Sequence, residues 1–138
     1  MSGIGFVVAG IAFWLLGAIW YNVLGKQWQS ALGFSDEYLA KGNMAIKMVL
    51  SLVCMIIMCF AVHVTQAEHF ATEAPGNTFS HGFVHGMMIG VFYCAMSIGI
   101  NCIYQQRPLK LWLIDAAYQV LGLGVAGGII AVWPTLFS

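Results

Sequence analysis

Charged side chains are scarce in this chain, at 7 % of its residues, whereas soluble domains carry roughly 25 %. Hydrophobic residues make up 61 %, and the mean hydropathy is +0.87. This composition excludes an ordinary soluble domain and indicates an integral membrane protein. The five basic residues form no cluster, so no nucleic-acid partner is expected, and the lipid bilayer is the expected partner.

The first residues lack the positively charged segment with which a secretory signal peptide begins. The apolar run continues to Leu24 without a convincing cleavage motif, so we expect the mature chain to keep it as a membrane span. The 138 residues can hold four spans and short connections. We therefore expect a single transmembrane domain, 1–138, without a separate soluble head domain.

Four apolar stretches are long enough to cross roughly 30 Å of hydrocarbon. The predicted spans are residues 3–24, 44–65, 81–104 and 109–133. In the first connection, aromatic residues recur among charges, Ser35 can cap a short helix and Gly42 can end it, which favours a helix on the membrane surface. The predicted fold is all-α, a four-helix transmembrane bundle with a short interfacial helix in the first connection.

Basic residues are missing from both termini and from the second connection, which runs from Gln66 to Ser80. By the positive-inside rule, the two connections that carry or adjoin the basic residues face the cytoplasm. We therefore expect a multi-pass protein of the cell inner membrane with both termini outside the cytoplasm. The five basic residues are Lys26, Lys41, Lys47, Arg107 and Lys110.

The last span carries a carboxylate, Asp115, about 7 Å inside its basic end. A charged side chain at this depth is expected to face the bundle interior or water. Polar residues of other spans are predicted at a similar depth. They form either a pocket that binds or passes a small solute or ion, or a hydrogen-bond network that holds the helices together. In the network, Lys47 or Asn101 would be the partner of the Asp115 carboxylate. The predicted layer comprises Asp115, Asn101, Gln119, Tyr118, Asn22, Ser51 and Ser97.

Glycines recur at four-residue spacing in the last two spans, which lets a neighbouring helix backbone approach closely. They are Gly82, Gly86 and Gly90 in the third span, and Gly124 and Gly128 in the fourth. Such stripes serve either inside one bundle or between chains, so we expect a homo-oligomer or a complex with another membrane protein.

All four histidines lie toward the side opposite the basic connections. His63, His81 and His85 could hold a metal ion, and His63 with His85 could ligate a haem, while His69, Glu68 and Glu73 lie nearby in the sequence. The other interpretation is that imidazoles at a membrane interface bind water, headgroups or backbone. No specific motif accompanies them, so the expected cofactor is none.

The four cysteines, Cys54, Cys59, Cys94 and Cys102, fall within the spans, so no disulfide is expected. No Ser, Cys or Lys is paired with a base by a recognisable motif. No catalytic residue is predicted, and an enzyme is not favoured.

Two sequence blocks resemble a known family. The segment WYNVLGKQW at the end of the first span, followed by RPLKLWLIDAAYQ, a run of small residues and a final Trp, resembles the domain-of-unknown-function family 1761, which comprises small four-span bacterial membrane proteins. The resemblance covers nearly the whole chain and implies the topology, but no activity, cofactor or catalytic residue. Members of that family tend to have Asn where this chain has Asp115.

Three classes of function are left open by these patterns. The first is the handling of a small solute or ion by the polar layer around Asp115. The second is a structural or accessory subunit that packs through its glycine stripes, and the third is a metal- or haem-binding module built on the histidines.

Overall fold

The computed structural model describes residues 2–72 and 78–136, and its regular secondary structure within these ranges is entirely helical. Four helices are long and apolar enough to cross a membrane, which confirms the expected all-α four-helix architecture. The elements are a 3-10 turn (Ser2–Ile4), α1 (Gly5–Leu32), α2 (Asp36–Ala40), α3 (Met44–Thr72), α4 (Phe79–Ile89), a π-helical turn (Gly90–Ala95), α5 (Met96–Tyr104) and α6 (Leu109–Leu136). Together α4, the π-helical turn and α5 form the third span, Phe79–Tyr104.

Helix α1 extends two turns beyond the predicted first span. It passes Gly25 without a break and ends at Gly33, whose φ of 71° is the left-handed conformation that glycine adopts without strain. The amide of Gly33 donates to the Gln29 and Ser30 carbonyls. The first part of the connection predicted to begin at Gly25 is therefore helical, up to Leu32.

The short helix predicted in the first connection is present as α2. Its N-cap is Ser35, whose side chain accepts a hydrogen bond from the Tyr38 amide. Asp36 and Glu37 occupy its first turn, where negative charge is favourable. All but one of the five residues of α2 are exposed, as expected for a surface helix.

Helix α6 is the centre of the bundle. More than half of its most apolar stretch is buried, against less than a fifth for each of the other three spans. The small residues of its second half leave room for neighbours: the Phe13 ring of α1 occupies the space beside Gly122, and the Phe79 ring of α4 lies beside Gly128. The largest fully buried side chains, Phe13, Cys59 and Leu123, come from α1, α3 and α6.

The glycine stripe of the third span packs against α6 of the same chain. A Cβ atom on Gly82 or Gly86 would collide with the carbonyl of Gly127 or Leu123, and one on Gly90 would lie 2.7 Å from the Val120 Cα. On the facing helix, Gly124 contacts the side chains of Met87 and Phe83, and Gly128 contacts Phe79. Both stripes are therefore buried inside the bundle.

Directly after the stripe, the third span changes from α- to π-helical hydrogen bonding at Gly90–Ala95. A π-turn inserts one extra residue into the helix and frees a backbone carbonyl. The indole nitrogen of Trp112 in α6 donates to the Ala95 carbonyl at 2.8 Å. This bond ties the turn to the central helix.

Candidate functional site

The carboxylate predicted inside the last span, Asp115, is half-buried where α6 faces α1. Its Oδ1 accepts a hydrogen bond from the Tyr21 hydroxyl at 2.7 Å. The indole N–H of Trp28, two turns further along α1, also faces the carboxylate. The hydrogen bond from Tyr21 therefore links Asp115 to α1, with Trp28 close by on the same face of that helix.

None of the five basic side chains forms an ion pair with Asp115 in the described ranges. Arg107 instead donates from Nη1 to the Leu32 carbonyl at the end of α1, at 3.0 Å. The Lys47 ammonium lies against Gly42. The remaining three lysines are exposed. The expected pairing of Lys47 with Asp115 is therefore not formed, and Tyr21 takes that place.

A row of aromatic rings lies next to the carboxylate. The Tyr21 ring lies between those of Trp28 and Tyr118, with centroid distances of 5.8 and 5.4 Å. Trp20 directly precedes Tyr21 in α1, and its indole donates to the Ile114 carbonyl at 3.1 Å. The site thus combines one negative charge with electron-rich ring faces, and no cationic side chain neutralises it.

Helix α3 does not close over this end of the bundle. All residues from Met44 to Leu50 are exposed, and α3 contributes fully buried side chains only from Cys59 onward. Beyond Asp115, toward the opposite membrane face, the core around Phe13, Cys59 and Leu123 is closed. The Asp115 side chain keeps part of its surface exposed, and packed side chains separate it from the opposite end of the bundle.

The predicted polar layer does not converge on one point. Asn22, Asn101 and Ser97 are exposed. Ser51 accepts a hydrogen bond from the Trp14 indole at 3.2 Å and donates to the Met48 carbonyl at 2.9 Å, so it joins α1 to α3. Of the predicted layer, Tyr118 is linked to the carboxylate through Tyr21, whose ring lies 5.4 Å from its own.

Tyr118 is buried, and its hydroxyl is used for packing. It donates to the Phe13 carbonyl at 3.2 Å and lies 3.5 Å from the Met55 sulfur. Its ring lies 5.2 Å from that of Phe13. Tyr118 thus contributes a ring face to the Asp115 site, while its hydroxyl group fastens α6 to α1 and α3.

Gln119 faces a different opening, a groove of about 480 Å³ on the side of the bundle. Its walls come from α3 and the third span, which make few contacts with each other, and α6 forms its floor. The Oε1 atom of Gln119 is buried and has no hydrogen-bond partner. The groove is lined by Met58, Tyr93, Cys94, Ser97, Ile98 and Gln119.

The histidines do not form a three-ligand site within residues 2–72 and 78–136, where no group of three or more His, Cys, Asp or Glu could hold a metal ion. The Nε2 atoms of His81 and His85 lie 2.9 Å apart, one turn apart on α4. His63 instead has its ring 6.0 Å from that of Phe6. The side chains of His69 and Glu73, also considered from the sequence, lie outside the described residues.

The four cysteines are all free in the structure. Cys59 and Cys102 are buried, Cys94 is half-buried and Cys54 is exposed.

Several side chains of importance were not identified from the sequence as site residues. Tyr21 falls within the predicted first span and Trp28 within the first connection, and neither is among the predicted site residues, yet Tyr21 donates to Asp115 and Trp28 faces it. Gln66 was placed in the second connection, but it is 3 % exposed within α3 and donates to the Gly82 carbonyl at 3.2 Å. The spacing of Tyr21 and Trp28, seven residues apart and thus on one helix face, was the available signal.

The comparisons with known proteins agree with this architecture. A family model described as "Protein of unknown function (DUF1761)" matches residues 4–131. No curated protein and no solved structure matches the chain. Because the family match covers both blocks that carried the resemblance and nearly all of the sequence, the chain belongs to the DUF1761 family.

Proposed function

We propose that this protein binds a small organic cation at Asp115, as a solute-handling protein of the membrane. One observation carries the proposal: a carboxylate at membrane depth has aromatic rings and a phenol hydroxyl around it, and no basic side chain paired with it in the described ranges. A buried or half-buried charge is costly unless it is compensated. A protonated or quaternary amine would compensate it.

The chemistry of the surroundings selects the class of solute. Cations bind to the faces of Trp and Tyr rings within about 6 Å of the ring centre, and this attraction grows when water is excluded. Carboxylates accept up to about four hydrogen bonds, so Asp115 has capacity beyond Tyr21 and Trp28. A bulky inorganic anion would be repelled, and a neutral sugar would find few polar partners.

Binding from the Asp115 end is better supported than an open pore. The packed core around Phe13, Cys59 and Leu123 blocks a straight path to the other face. Passage of the solute would therefore require the helices to move. We place the protein in the cell inner membrane with the basic connections in the cytoplasm, so the solute would reach Asp115 from the cytoplasmic side.

Calorimetric titration of the purified protein in detergent micelles with tetraphenylphosphonium tests the proposal. The parent should bind, and Asp115→Asn should weaken binding about tenfold or more, because it removes the charge but keeps size and hydrogen bonding. Asp36→Asn is the matched control, since Asp36 is an exposed carboxylate on α2. Its affinity should equal that of the parent.

An uncharged analogue, triphenylphosphine oxide, separates charge recognition from adsorption to rings. Its binding should not change in Asp115→Asn. Absence of tetraphenylphosphonium binding by the parent, or equal affinity of the parent and Asp115→Asn, would refute the proposal.

A second candidate function is that of a structural subunit in a homo-oligomer or in a complex with another membrane protein. The exposed start of α3, Met44 to Leu50, supports it, because the rest of the bundle leaves the side chains of this stretch uncovered. The buried glycine stripes do not support it. A defined mass of two or more chains in mild detergent, measured by light scattering, would favour this candidate.

A further inference from the structure

We propose that the lateral groove between α3 and the third span binds a membrane-dissolved molecule that has an apolar body and a hydroxyl group. The groove, defined above by Met58, Tyr93, Cys94, Ser97, Ile98 and Gln119, faces away from α1. It is separate from the Asp115 site, and the proposal does not depend on organic-cation binding there.

The polar groups of the groove lie near the middle of the membrane. Gln119 is about 15 Å along α6 from Leu109 and about 21 Å from Trp133, at 1.5 Å per residue. Tyr93 is similarly about 21 Å from Phe79 and about 16 Å from Tyr104 along the third span. With a hydrocarbon core of roughly 30 Å, both residues are far from either headgroup layer. A ligand reaching them must come from the lipid phase.

Tyr93 is in an unusual place for a tyrosine. Tyrosines of membrane proteins concentrate at the two interfaces, where the hydroxyl meets water. Tyr93 is 74 % exposed at mid-span, and its hydroxyl has no hydrogen-bond partner among the described residues. A hydroxyl without a partner in hydrocarbon is costly, so a ligand that bonds to it gains affinity.

Gln119 supplies the complementary group. Its Oε1 is buried without a hydrogen-bond partner, which is unfavourable in an apolar environment. Rotation about the last side-chain bond brings the amide oxygen or its N–H groups to the groove. An alcohol can donate to the oxygen and accept from the Tyr93 or Ser97 hydroxyl. The three side chains together therefore fit one hydroxyl group.

The backbone explains why the groove is open. Gly82, Gly86 and Gly90 hold the first half of the third span tightly on α6, and the π-turn that follows redirects the remainder. Helix α3 makes few contacts with the third span, so a groove is left between them. Met58 provides a flexible apolar wall that can adapt to different tails.

The groove's chemistry excludes charged lipids as the preferred occupant. None of its six lining residues is basic or acidic, so neither a phosphate nor an ammonium headgroup finds a counter-ion. Its volume of about 480 Å³ lies within the range of roughly 300–1,000 Å³ of small-molecule pockets. An uncharged long-chain alcohol, phenol or isoprenoid alcohol has the matching chemistry.

Photolabelling of the full chain in liposomes with a diazirine-bearing hexadecanol tests the inference. Mass spectrometry should locate the label on the segments that line the groove, around Met58 and around Tyr93 and Cys94. Unlabelled tetradecanol should compete, whereas its methyl ether, which cannot donate a hydrogen bond, should compete about fivefold less well.

Variants make the test specific. Gln119→Leu and Tyr93→Phe should each reduce groove labelling about fivefold, the effect of one lost hydrogen bond. Tyr104→Phe is the matched control, because Tyr104 is an exposed tyrosine of the same span outside the groove, and its labelling should equal that of the parent. Gln119→Leu should remain folded, since it removes a buried group that has no partner.

The outcomes are distinct from those for the Asp115 site. Asp115→Asn should keep groove labelling unchanged, so failure of either proposal is visible without the other. Equal competition by the methyl ether, labelling spread evenly over the lipid-facing helices, or unchanged labelling in both Gln119→Leu and Tyr93→Phe would overturn the inference. Cross-linking between two copies through Tyr93, with no labelling of the groove, would also overturn it.

Discussion

Asp115 is stabilised by a side chain that precedes it by 94 positions in the sequence. Its presence inside an apolar stretch could be recognised from the sequence alone, because a carboxylate there requires a partner. The identity of that partner could not. The seven-residue spacing places Tyr21 and Trp28 on one face of α1, but it does not show which of the other helices that face meets.

Two replacements of Asp115 separate the contribution of its charge to stability from that of its hydrogen bond with Tyr21. Asp115→Leu should lower the free energy of unfolding by about 1–3 kcal/mol, because it leaves the Tyr21 hydroxyl without an acceptor in an apolar environment. Asp115→Asn should cost less than about 1 kcal/mol, because the amide oxygen still accepts that bond. Thermal unfolding in detergent micelles measures both.

The double variant Tyr21→Phe/Asp115→Leu is the control for this pair. If the two side chains interact directly, the double variant should be more stable than the sum of the single effects predicts. Purely additive effects would show that the 2.7 Å hydrogen bond contributes nothing to stability.

In the third span, one feature could be predicted from the sequence and another could not. Its glycine spacing correctly indicated close backbone contact, because the repeat of four residues places three small residues on one side of a helix. The sequence does not show which helix the glycines face, or whether that helix belongs to the same chain. The π-turn at Gly90–Ala95 was not foreseen, since such a turn has no compositional signature and depends on tertiary contacts such as Trp112 with the Ala95 carbonyl.

Because α4 packs closely on α6, adding a single methyl group at their contact should lower the stability of the bundle. Gly86→Ala should destabilise the bundle by about 1–3 kcal/mol, because the new Cβ would collide with the Leu123 carbonyl and force the two backbones apart. Gly25→Ala is the matched control, since nothing lies within 4 Å of a Cβ at that position of α1.

Gly25→Ala should be neutral or slightly stabilising, because alanine favours a helix more than glycine does. Thermal unfolding of the two variants, measured side by side, checks the pair. Equal stability of Gly86→Ala and the parent would contradict the packing described here.

For the whole molecule, the number and order of the spans followed from composition, but the arrangement of the helices around α6 did not. Small residues are frequent in α6, yet a helix rich in glycine and alanine is equally suited to packing between chains. The side of the membrane on which each end lies is predicted from the basic residues alone. The contact of Arg107 with the Leu32 carbonyl places the first and third connections at the same end of the bundle, as that prediction requires.

Reporter fusions at the C-terminus test the orientation. Alkaline phosphatase, which is active only outside the cytoplasm, should be active when fused after Ser138, and a fluorescent protein that matures only in the cytoplasm should be dark. Fusions within the first connection, after Gly42, should give the reverse pattern and serve as the control. A fluorescent C-terminal fusion with an inactive phosphatase fusion would contradict the positive-inside assignment.

The central position of α6 also bears on how the chain is made. Proteins are synthesised from the N-terminus, so α1, α3 and α4 enter the membrane before the helix that each of them packs against. Of these three, α1 and α3 can associate on their own, whereas α4 makes few contacts with α3 and depends on α6. Until α6 arrives, the glycine face of α4 is left to lipid or to any other helix nearby. Assembly is therefore completed by the last span to be inserted. Chains truncated before α6 would expose the glycine face of α4, which quality-control proteases could recognise.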